Sequence, residues 1–314
     1  MRPTSKRSNP TASAASLRSV WTRCWKRKAA IPSFGRRARL LTKVFAPAKV
    51  NLTLHVTGQR KDGYHLLDSL VAFADVGDRV SVMAADKLSL DVTGPMSDGV
   101  PADATNLVWR AAELFDQPVA ITLSKHLPAA SGIGGGSSDA AATLLAMSDL
   151  TGERTLPEGA AQLGADVRVC LTRQAARMSG IGEIVEPVGP LPQLHAVLAN
   201  PRVEVPTPAV FKALASKTNA PMPRKLPKWQ GTKQLIDWLA AQRNDLEDPA
   251  MQVAPVIVDV LAALTTLPDA RLARMSGSGA TCFALFASRE AANAAAATLA
   301  EVHPDWWVVP ATLT

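Results

Sequence analysis

The segment with the clearest chemical potential is a glycine-rich loop that leads into an alanine-rich stretch. Four glycines fall within residues 132–136, and Ser137 and Ser138 follow them. Glycine lets another group approach the backbone closely, and a helix N-terminus presents unpaired N–H groups with partial positive charge. The loop is therefore predicted to bind phosphate. A glycine-rich turn between packed elements is the alternative.

Two familiar phosphate motifs do not fit this loop. No glycine in the chain is followed by lysine, so there is no P-loop, and the third glycine of a dinucleotide-binding motif would be Ser137. The His-Arg-Asp and Asp-Phe-Gly sequences of protein kinases are absent as well. The run that follows Gly136 has the residue types of a strong helix, and a serine is its expected N-cap.

Two further stretches hold residues suited to moving a proton. Polar and apolar residues alternate in residues 43–57, so Lys49 and Asn51 share one face of a predicted strand. Asp166 follows a Gly-Ala pair and precedes apolar residues at alternate positions, which predicts another strand. Taken alone, a strand lysine is usually a solvated surface charge, and an aspartate after Gly-Ala is usually a turn residue.

The elements between these stretches include both strands and helices. Residues 106–115 have helical spacing with Asp103 or Thr105 as the cap, and residues 119–123 form a strand candidate before Lys125. Toward the other end of the chain, a second glycine cluster precedes an apolar strand and an alanine-rich helix. This pattern predicts an α+β protein of two domains.

Composition limits the class of protein. The 314 residues are 47% apolar, which is ample for a buried core. No apolar run approaches the length of a membrane helix, so no membrane partner is expected. The three cysteines, Cys24, Cys170 and Cys282, are too scattered for a disulfide framework or a zinc cluster. These features favour a cytoplasmic protein.

The basic character of the chain is confined to its first residues. Residues 1–42 contain eleven Lys or Arg and no Asp or Glu, whereas the remainder has 23 basic and 27 acidic residues. This extension is expected to be disordered. We interpret it as the product of a start codon assigned too far upstream. A plastid transit peptide and a nucleic-acid-binding arm are the alternatives.

Three stretches together resemble a known family. Ala46–Leu52, Pro128–Asp139 and Met275–Thr281 are similar to the three motifs of the GHMP small-molecule kinases, in that family's order. The resemblance implies ATP-dependent phosphorylation of a hydroxyl by a two-domain α+β fold with its active site in the inter-domain cleft. The expected divisions are a basic extension at 1–42, an ATP-binding domain at 43–190 and a C-terminal domain at 191–314.

The resemblance also implies roles for individual residues. Asp166 would be the general base, Lys49 would keep it ionised, and Asn51 would contact the substrate. Mg²⁺ is expected with ATP, carried by the phosphates rather than by a cluster of protein ligands. Asp139 would face away from the phosphates or help to hold a hydrated cation. The positions implied for ATP are Pro128, Gly132, Gly134, Gly135, Gly136, Ser137, Ser138, Asn106 and Lys125.

Four shorter stretches resemble one group within the family. They resemble members that phosphorylate the 2-hydroxyl of a cytidine diphosphate derivative of methylerythritol, in the non-mevalonate route to isoprenoid precursors. The stretches are Gly58–His65, Gly164–Asp166, Pro206–Phe211 and Arg243–Glu247.

In that group, aromatic side chains hold the cytosine. By resemblance, Tyr64 and Phe211 would sandwich the base, and His65 would read its edge. Core packing is the alternative for both aromatics, and a histidine satisfied by a neighbouring turn is the alternative for His65. Thr207 would lie on the substrate side or serve as a turn residue.

One position departs from the family, and one segment has no interpretation. Arg168 stands where the family commonly has proline, and it would either pair with Asp166 and lower its basicity or face solvent. Residues 212–229, rich in Pro and Lys, are typical of a surface loop.

Two other functions remain open. Another GHMP kinase, of homoserine or mevalonate type, would have no use for aromatic residues at positions 64 and 211. A nucleic-acid-binding protein would depend on the basic extension and bind in a salt-dependent way. The acidic body argues against a nucleic-acid partner. The sequence does not indicate the oligomeric state.

Overall fold

The computed structural model of the chain describes residues 41–314. The expectations for residues 1–40 and for Cys24 lie outside the described residues. One boundary needs correction, because Leu41 and Thr42, assigned above to the extension, pair with Met83 and Val82 in a strand. The first strand thus starts two residues earlier than predicted.

Eleven strands of the described residues join into one hydrogen-bonded sheet. The strands are β1 (Leu41–Asn51), β2 (His55–Gln59), β3 (His65–Ala84), β4 (Ser89–Thr93), β5 (Val119–Ser124), β6 (Ala176–Gly180), β7 (Ile184–Pro187), β8 (Leu194–Asn200), β9 (Leu272–Met275), β10 (Cys282–Phe286) and β11 (Trp307–Leu313). Along the main path their order is β4-β5-β3-β11-β8-β10-β9.

The longest strand, β3, organises the sheet. It pairs antiparallel with β1, β2, β5 and β6. Strand β11 joins it through Leu313 opposite Ala74, and the backbones of Phe73 and Thr314 exchange two hydrogen bonds of 2.9 Å. Since β11 also pairs with β8, the sheet is continuous from the first half of the chain to the second.

Eight α-helices occur within residues 41–314. They are α1 (Leu107–Ala112), α2 (Gly135–Thr151), α3 (Val167–Thr172), α4 (Thr207–Lys212), α5 (Thr232–Ala240), α6 (Glu247–Val253), α7 (Val256–Thr266) and α8 (Arg289–Val302). The longest, α2, lies between Gly134 and Gly152, which have φ values of 64° and 77°. Glycine adopts this left-handed conformation without steric cost.

Buried apolar side chains form three clusters around the sheet. The first packs α1, α2 and α3 against the first strands, the second includes α5, and the third includes α7 and α8. Val71 and Ala72 are adjacent on β3 but belong to the first and second clusters respectively. Because successive strand residues point to opposite faces, β3 separates these two cores. The α+β prediction is confirmed.

Three local predictions were wrong. The cap of α1 is Asn106, whose side chain accepts a hydrogen bond from Val108 N, rather than Asp103 or Thr105. Helix α2 is capped by Gly134 instead of a serine, because the loop needs positive φ there. Asp166 precedes the short helix α3 rather than a strand, since alternation over five residues does not distinguish the two periods.

Within residues 41–314, no helix is long and apolar enough to cross a membrane. Cys170 and Cys282 are buried free thiols.

Candidate active site

Lys49 and Asp166 form an ion pair between a buried lysine and a partly exposed aspartate. Lys49 Nζ lies 3.0 Å from Asp166 Oδ2, although 117 residues separate the two in sequence. The lysine side chain is 5% exposed and the aspartate side chain 34%. Lys49 Nζ also donates to Asn51 Oδ1 at 2.8 Å. The structure therefore brings together the predicted base, its cationic partner and Asn51, with the carboxylate as the accessible member.

Two local features position this pair. The pairing register of β1 with β3 shifts between Pro47 and Lys49 and resumes at Lys49 opposite Phe73, and Lys49 N donates to Ile133 O of the glycine loop at 2.9 Å. Asp166 occupies the residue before α3, where a helix N-terminus favours negative charge. The lysine is thus fixed by a strand and the aspartate by the start of a helix.

The glycine loop lies directly against the ion pair. A Cβ atom added to Gly134 would come within 3.1 Å of Lys49 Cε and 3.9 Å of Asp166 Oδ2. The first N–H groups of α2 have no acceptor within the helix, because the carbonyls four residues earlier lie outside it. Ser138 Oγ donates to Pro47 O at 2.7 Å and ties the first turn of α2 to β1. The bare backbone and the N–H groups form a cradle that suits phosphate.

The third glycine-containing motif closes onto the same loop. Ser276 Oγ accepts from Asn51 N at 3.0 Å and donates to Gly132 O at 3.1 Å. Thr281 N donates to Ser131 O at 3.1 Å. A Cβ atom at Gly132 would lie 2.5 Å from Ser276 O, so the two loops touch through backbone alone. The three motifs, distant in sequence, therefore meet at one place.

Lys125, expected near the adenosine, lies in a buried charge cluster. Its ammonium forms a short ion pair with Asp78 and another of 2.7 Å with Asp139, and all three residues are almost fully buried. Asp78 also accepts hydrogen bonds from the backbone N–H groups of His126 and Leu127. Asp139, expected to face away from phosphate or to hold a cation, faces this lysine.

The cluster contains two carboxylates and one ammonium. Burial raises the pKa of Asp139 to about 7, although the neighbouring Lys125 favours its ionised form. Asp139 Oδ1 is also buried without a hydrogen-bond partner. Asp78, in contrast, has acceptor contacts to three donors. Burial therefore disfavours the ionised form of Asp139.

Asp139→Asn is expected to stabilise the protein increasingly with pH. The pKa of this carboxyl is 3.8 in the unfolded chain and about 7 in the folded protein, so between these pH values it ionises in the unfolded chain first. Ionisation then favours unfolding, and the parent should lose stability relative to the variant as pH rises toward about 7. Urea denaturation across this range measures the difference.

The matched control is Asp78→Asn, which leaves buried donors unpaired and should cost about 3–5 kcal/mol. Equal destabilisation by the two substitutions would show that Asp139 is ionised in the folded protein.

The residues predicted to hold the cytosine lie around the end of β3. The rings of His65 and Phe211 stack with centroids 4.6 Å apart and planes at 17°, and Tyr64 is 60% exposed. His65 Nε2 is buried without a partner. Burial, together with Lys217, lowers the pKa of His65, so the ring is neutral at pH 7 and able both to donate and to accept.

Thr207 and Arg168 have contacts that the sequence did not reveal. The hydroxyls of Thr207 and Ser278 share a hydrogen bond of 2.8 Å, which connects α4 to the third motif. Arg168 Nη1 donates to Glu183 O at 3.0 Å, and its side chain is half-buried. This contact directs the guanidinium to the β6–β7 turn.

Sequence reasoning missed two residues that support the site. Asn244 Nδ2 donates to the carbonyls of Met275 and Gly277 at 2.8 and 2.9 Å and thereby holds the third motif. Its place within Arg243–Glu247, one of the stretches that resembled the family, was the available signal. Asp78 has no such signal, because only the tertiary structure brings it to Lys125.

The segment 212–229, which the sequence left without a function, forms hydrogen bonds with residues distant in sequence. Arg177 pairs with Asp68 at 2.6 Å and donates to the carbonyls of Met222, Pro223 and Arg224. Nearer its start, Asn219 N donates to Val56 O at 3.0 Å. The segment is thus held along much of its length.

Comparisons with known proteins agree with this geometry. Residues 106–179 match the GHMP kinases N terminal domain, and residues 225–305 match the GHMP kinases C terminal family. The chain is 59% identical over 277 residues to a 4-diphosphocytidyl-2-C-methyl-D-erythritol kinase of Cereibacter sphaeroides, covering 87% of this chain and 99% of the relative. A relative of the same name from Dinoroseobacter shibae is 59% identical over 270 residues, covering 86% and 94%.

Solved structures give the same result. A crystal structure of 4-(cytidine 5'-diphospho)-2C-methyl-D-erythritol kinase matches with a TM-score of 0.70 and 34% identity, over 87% of this chain and 99% of that one. A homoserine kinase from Cytophaga hutchinsonii shares the fold, with a TM-score of 0.62 at 20% identity over 90% and 97% of the two chains. The chain belongs to the 4-diphosphocytidyl-2-C-methyl-D-erythritol kinase family of the GHMP kinases.

Proposed function

We propose that this chain transfers the γ-phosphoryl group of ATP to the 2-hydroxyl of 4-diphosphocytidyl-2-C-methyl-D-erythritol, in the non-mevalonate route to isoprenoid precursors. The observation that carries the proposal is the ion pair between Lys49 and Asp166, which lies against the glycine loop at the N-terminus of α2. A base and a phosphate cradle in contact are the two parts that phosphoryl transfer to a hydroxyl requires.

The half-exposed carboxylate of Asp166 is the proton acceptor. Lys49 Nζ pairs with this carboxylate at 3.0 Å, and the same ammonium lies beside the position where the attacking oxygen gains negative charge. Asn51 holds Lys49 Nζ from the other side and is itself held by Ser69 Oγ at 2.8 Å. These contacts fix the lysine before the substrate arrives, so little reorganisation is needed during the reaction.

The glycine loop and the first turn of α2 receive the phosphates of ATP. Among residues 41–314, no group of three or more acidic, histidine or cysteine side chains is placed to hold a metal ion. Asp139 is engaged with Lys125 and Asp166 with Lys49. This donor set fits Mg²⁺ that arrives bound to ATP, where it would neutralise charge on the phosphates.

The cytidine end of the substrate is assigned to the aromatic group near β3. Tyr64 offers an exposed ring, Phe211 offers a second ring on α4, and the unpaired Nε2 of His65 is available to the polar edge of the base. A neutral imidazole suits this role because cytosine presents both a donor and an acceptor. The present contact between His65 and Phe211 would open when a base enters between Tyr64 and Phe211.

The domain division and the remaining nucleotide contacts belong to the same proposal. We assign residues 41–190 and 191–314 to the two domains, with the active site where the motifs of both meet. Asn106 and Lys125 support the adenosine side indirectly, since Asn106 caps α1 and Lys125 is buried.

Acceptor specificity is the direct test. The full chain with Mg·ATP should form ADP in the presence of 4-diphosphocytidyl-2-C-methyl-D-erythritol, and should not do so above background with homoserine or mevalonate. Turnover of either alternative at a comparable kcat/KM would overturn the substrate assignment while leaving the kinase chemistry intact. A chain that is inactive with all three acceptors would contradict both.

Phe211→Leu is expected to raise KM for the cytidylyl substrate by about tenfold, because stacking on a base contributes on the order of 1–3 kcal/mol. The change retains an apolar side chain, so kcat and KM for ATP should stay within about twofold of the parent. Initial rates at varied acceptor concentration measure the effect.

Phe115→Leu, in the first core cluster, is the matched control and should leave all three constants unchanged. If Phe211→Leu lowers kcat with no change in KM, the ring does not hold the base.

A further inference from the structure

A cavity lies where β1 and β3 meet β8, β11 and α8. Its volume is about 510 Å³. Its lining includes the aromatic residues Phe45 and Phe73 and the polar residues Arg173, His195 and Thr312. Except for Pro47, whose carbonyl accepts from Ser138, the lining residues lie outside the site described above, so the cavity needs its own explanation.

Unpaired polar atoms concentrate on this cavity. Seven buried side-chain N or O atoms in residues 41–314 lack a hydrogen-bond partner, and three of them belong to its lining. The three are Arg173 Nη2, His195 Nδ1 and Thr312 Oγ1. An unpaired buried polar group costs about 1–3 kcal/mol, so a chain seldom keeps several together without a partner for them.

The unpaired group of highest charge is the Arg173 guanidinium. No carboxylate of residues 41–314 lies within salt-bridge distance of it, and its side chain is half-buried. The other arginine of the lining, Arg289, pairs with Asp75 at 2.9 Å, and Asp75 also accepts from Thr312 N at 2.7 Å. The acidic side chain of the lining is thus already satisfied, whereas Arg173 lacks an anion.

The polar and aromatic residues of the lining together define a class of ligand. An arginine keeps its charge at neutral pH, and the buried hydroxyl and imidazole can each add a donor once they turn toward the cavity, which suits the oxygens of a phosphate group. Phe45 and Phe73 provide an apolar surface beside these donors. We propose that this cavity is a second binding site for a small phosphate monoester that carries an apolar group.

The site is separate from the catalytic centre but connected to it. Arg173 is the residue that ends α3, in a left-handed conformation with φ of 49°, and Asp166 is the residue that precedes the same helix. Six helical residues span roughly 9 Å, so the two charged groups stand at opposite ends of one short rigid element. Binding at Arg173 is therefore distinguishable from binding at the glycine loop.

The experiment measures binding of n-butyl phosphate to the full chain by calorimetry, with the nucleotide site saturated by ADP. The parent should bind the probe, and Arg173→Gln should weaken binding by at least about tenfold, as expected for loss of a charged hydrogen bond. Thr312→Val should weaken it by a smaller factor. Arg154→Gln, which changes an exposed arginine outside the cavity, is the control and should bind as the parent does.

The stability of the variants separates a ligand site from a structural role. Because Arg173 Nη2 has no partner in the protein, Arg173→Gln should unfold at the same temperature as the parent or slightly higher. Butyl phosphate should raise the unfolding temperature of the parent alone, since a ligand stabilises the state that binds it.

Three results would overturn the proposal. One is the absence of millimolar binding to the parent, and another is equal binding to the parent and Arg173→Gln. The third is that inorganic phosphate binds as tightly as n-butyl phosphate, which would show that Phe45 and Phe73 do not contribute to binding.

Discussion

Asp166→Asn is expected to reduce kcat by roughly 10²–10⁴-fold, the usual contribution of a positioned general base. The amide has nearly the shape of the carboxylate and can still accept from Lys49, so the local structure should be retained. It cannot take up the hydroxyl's proton at neutral pH. Because the side chain acts on the attacking hydroxyl, KM for ATP should change little, and kcat and kcat/KM for the acceptor should fall together.

The measurement is steady-state ADP formation by parent and variant, with circular dichroism to confirm that both are folded. Asp237→Asn is the matched control, because Asp237 forms an exposed ion pair with Lys233 on α5 and should not affect turnover. A variant at Asp166 that keeps more than about a tenth of the parent kcat would rule out proton abstraction by this carboxylate as the main contribution.

Gly132→Ala is expected to destabilise the protein by about 2–5 kcal/mol, from a left-handed backbone and a steric overlap acting together. Gly132 has φ of 76°, and its added Cβ would lie 2.5 Å from Ser276 O and 2.8 Å from Gly279 O. Both neighbours are backbone atoms, so neither can rotate away. The second and third motifs would have to separate, which should also raise KM for ATP.

Gly99→Ala separates the two causes. Gly99 has a similar φ of 72°, but its added Cβ would meet nothing within 4 Å. Its substitution should cost only the backbone term, about 1–2 kcal/mol. Chemical denaturation of both variants gives the comparison. Equal losses would mean that the contact between the loops contributes nothing, contrary to the geometry.

The residues that carry the chemistry of the site could be predicted from the sequence better than the buried residues that hold them in place. Lys49, Asn51, the glycine loop and Asp166 fall in stretches that resemble family motifs, and the structure brings them together. Asp78, by contrast, carries no local signal, because its partner Lys125 is 47 residues away and both are buried. A charge cluster of this kind depends on strand pairing across the sheet, which no local pattern encodes.

The errors in the fold have a similar origin. Val167, Val169 and Leu171 alternate as a strand would, yet they lie in a helix of six residues whose buried face packs into the first core cluster. Tertiary packing decides between the two periods when the segment is this short. The cap at Gly134 was misjudged for another reason, because serine is the commoner cap but cannot easily adopt the φ that the loop requires.

The position of β11 has a consequence for protein synthesis. This strand follows the other ten strands of residues 41–314 in sequence, yet it lies between β3 and β8 and joins the two halves of the sheet. The first half can form its own strand pairs during translation, but the halves can be joined only after the last strand has emerged. The third motif belongs to the second half of the sheet, so the nascent chain should acquire its catalytic geometry only after β11 has been made, in a late step that depends on contacts between distant residues.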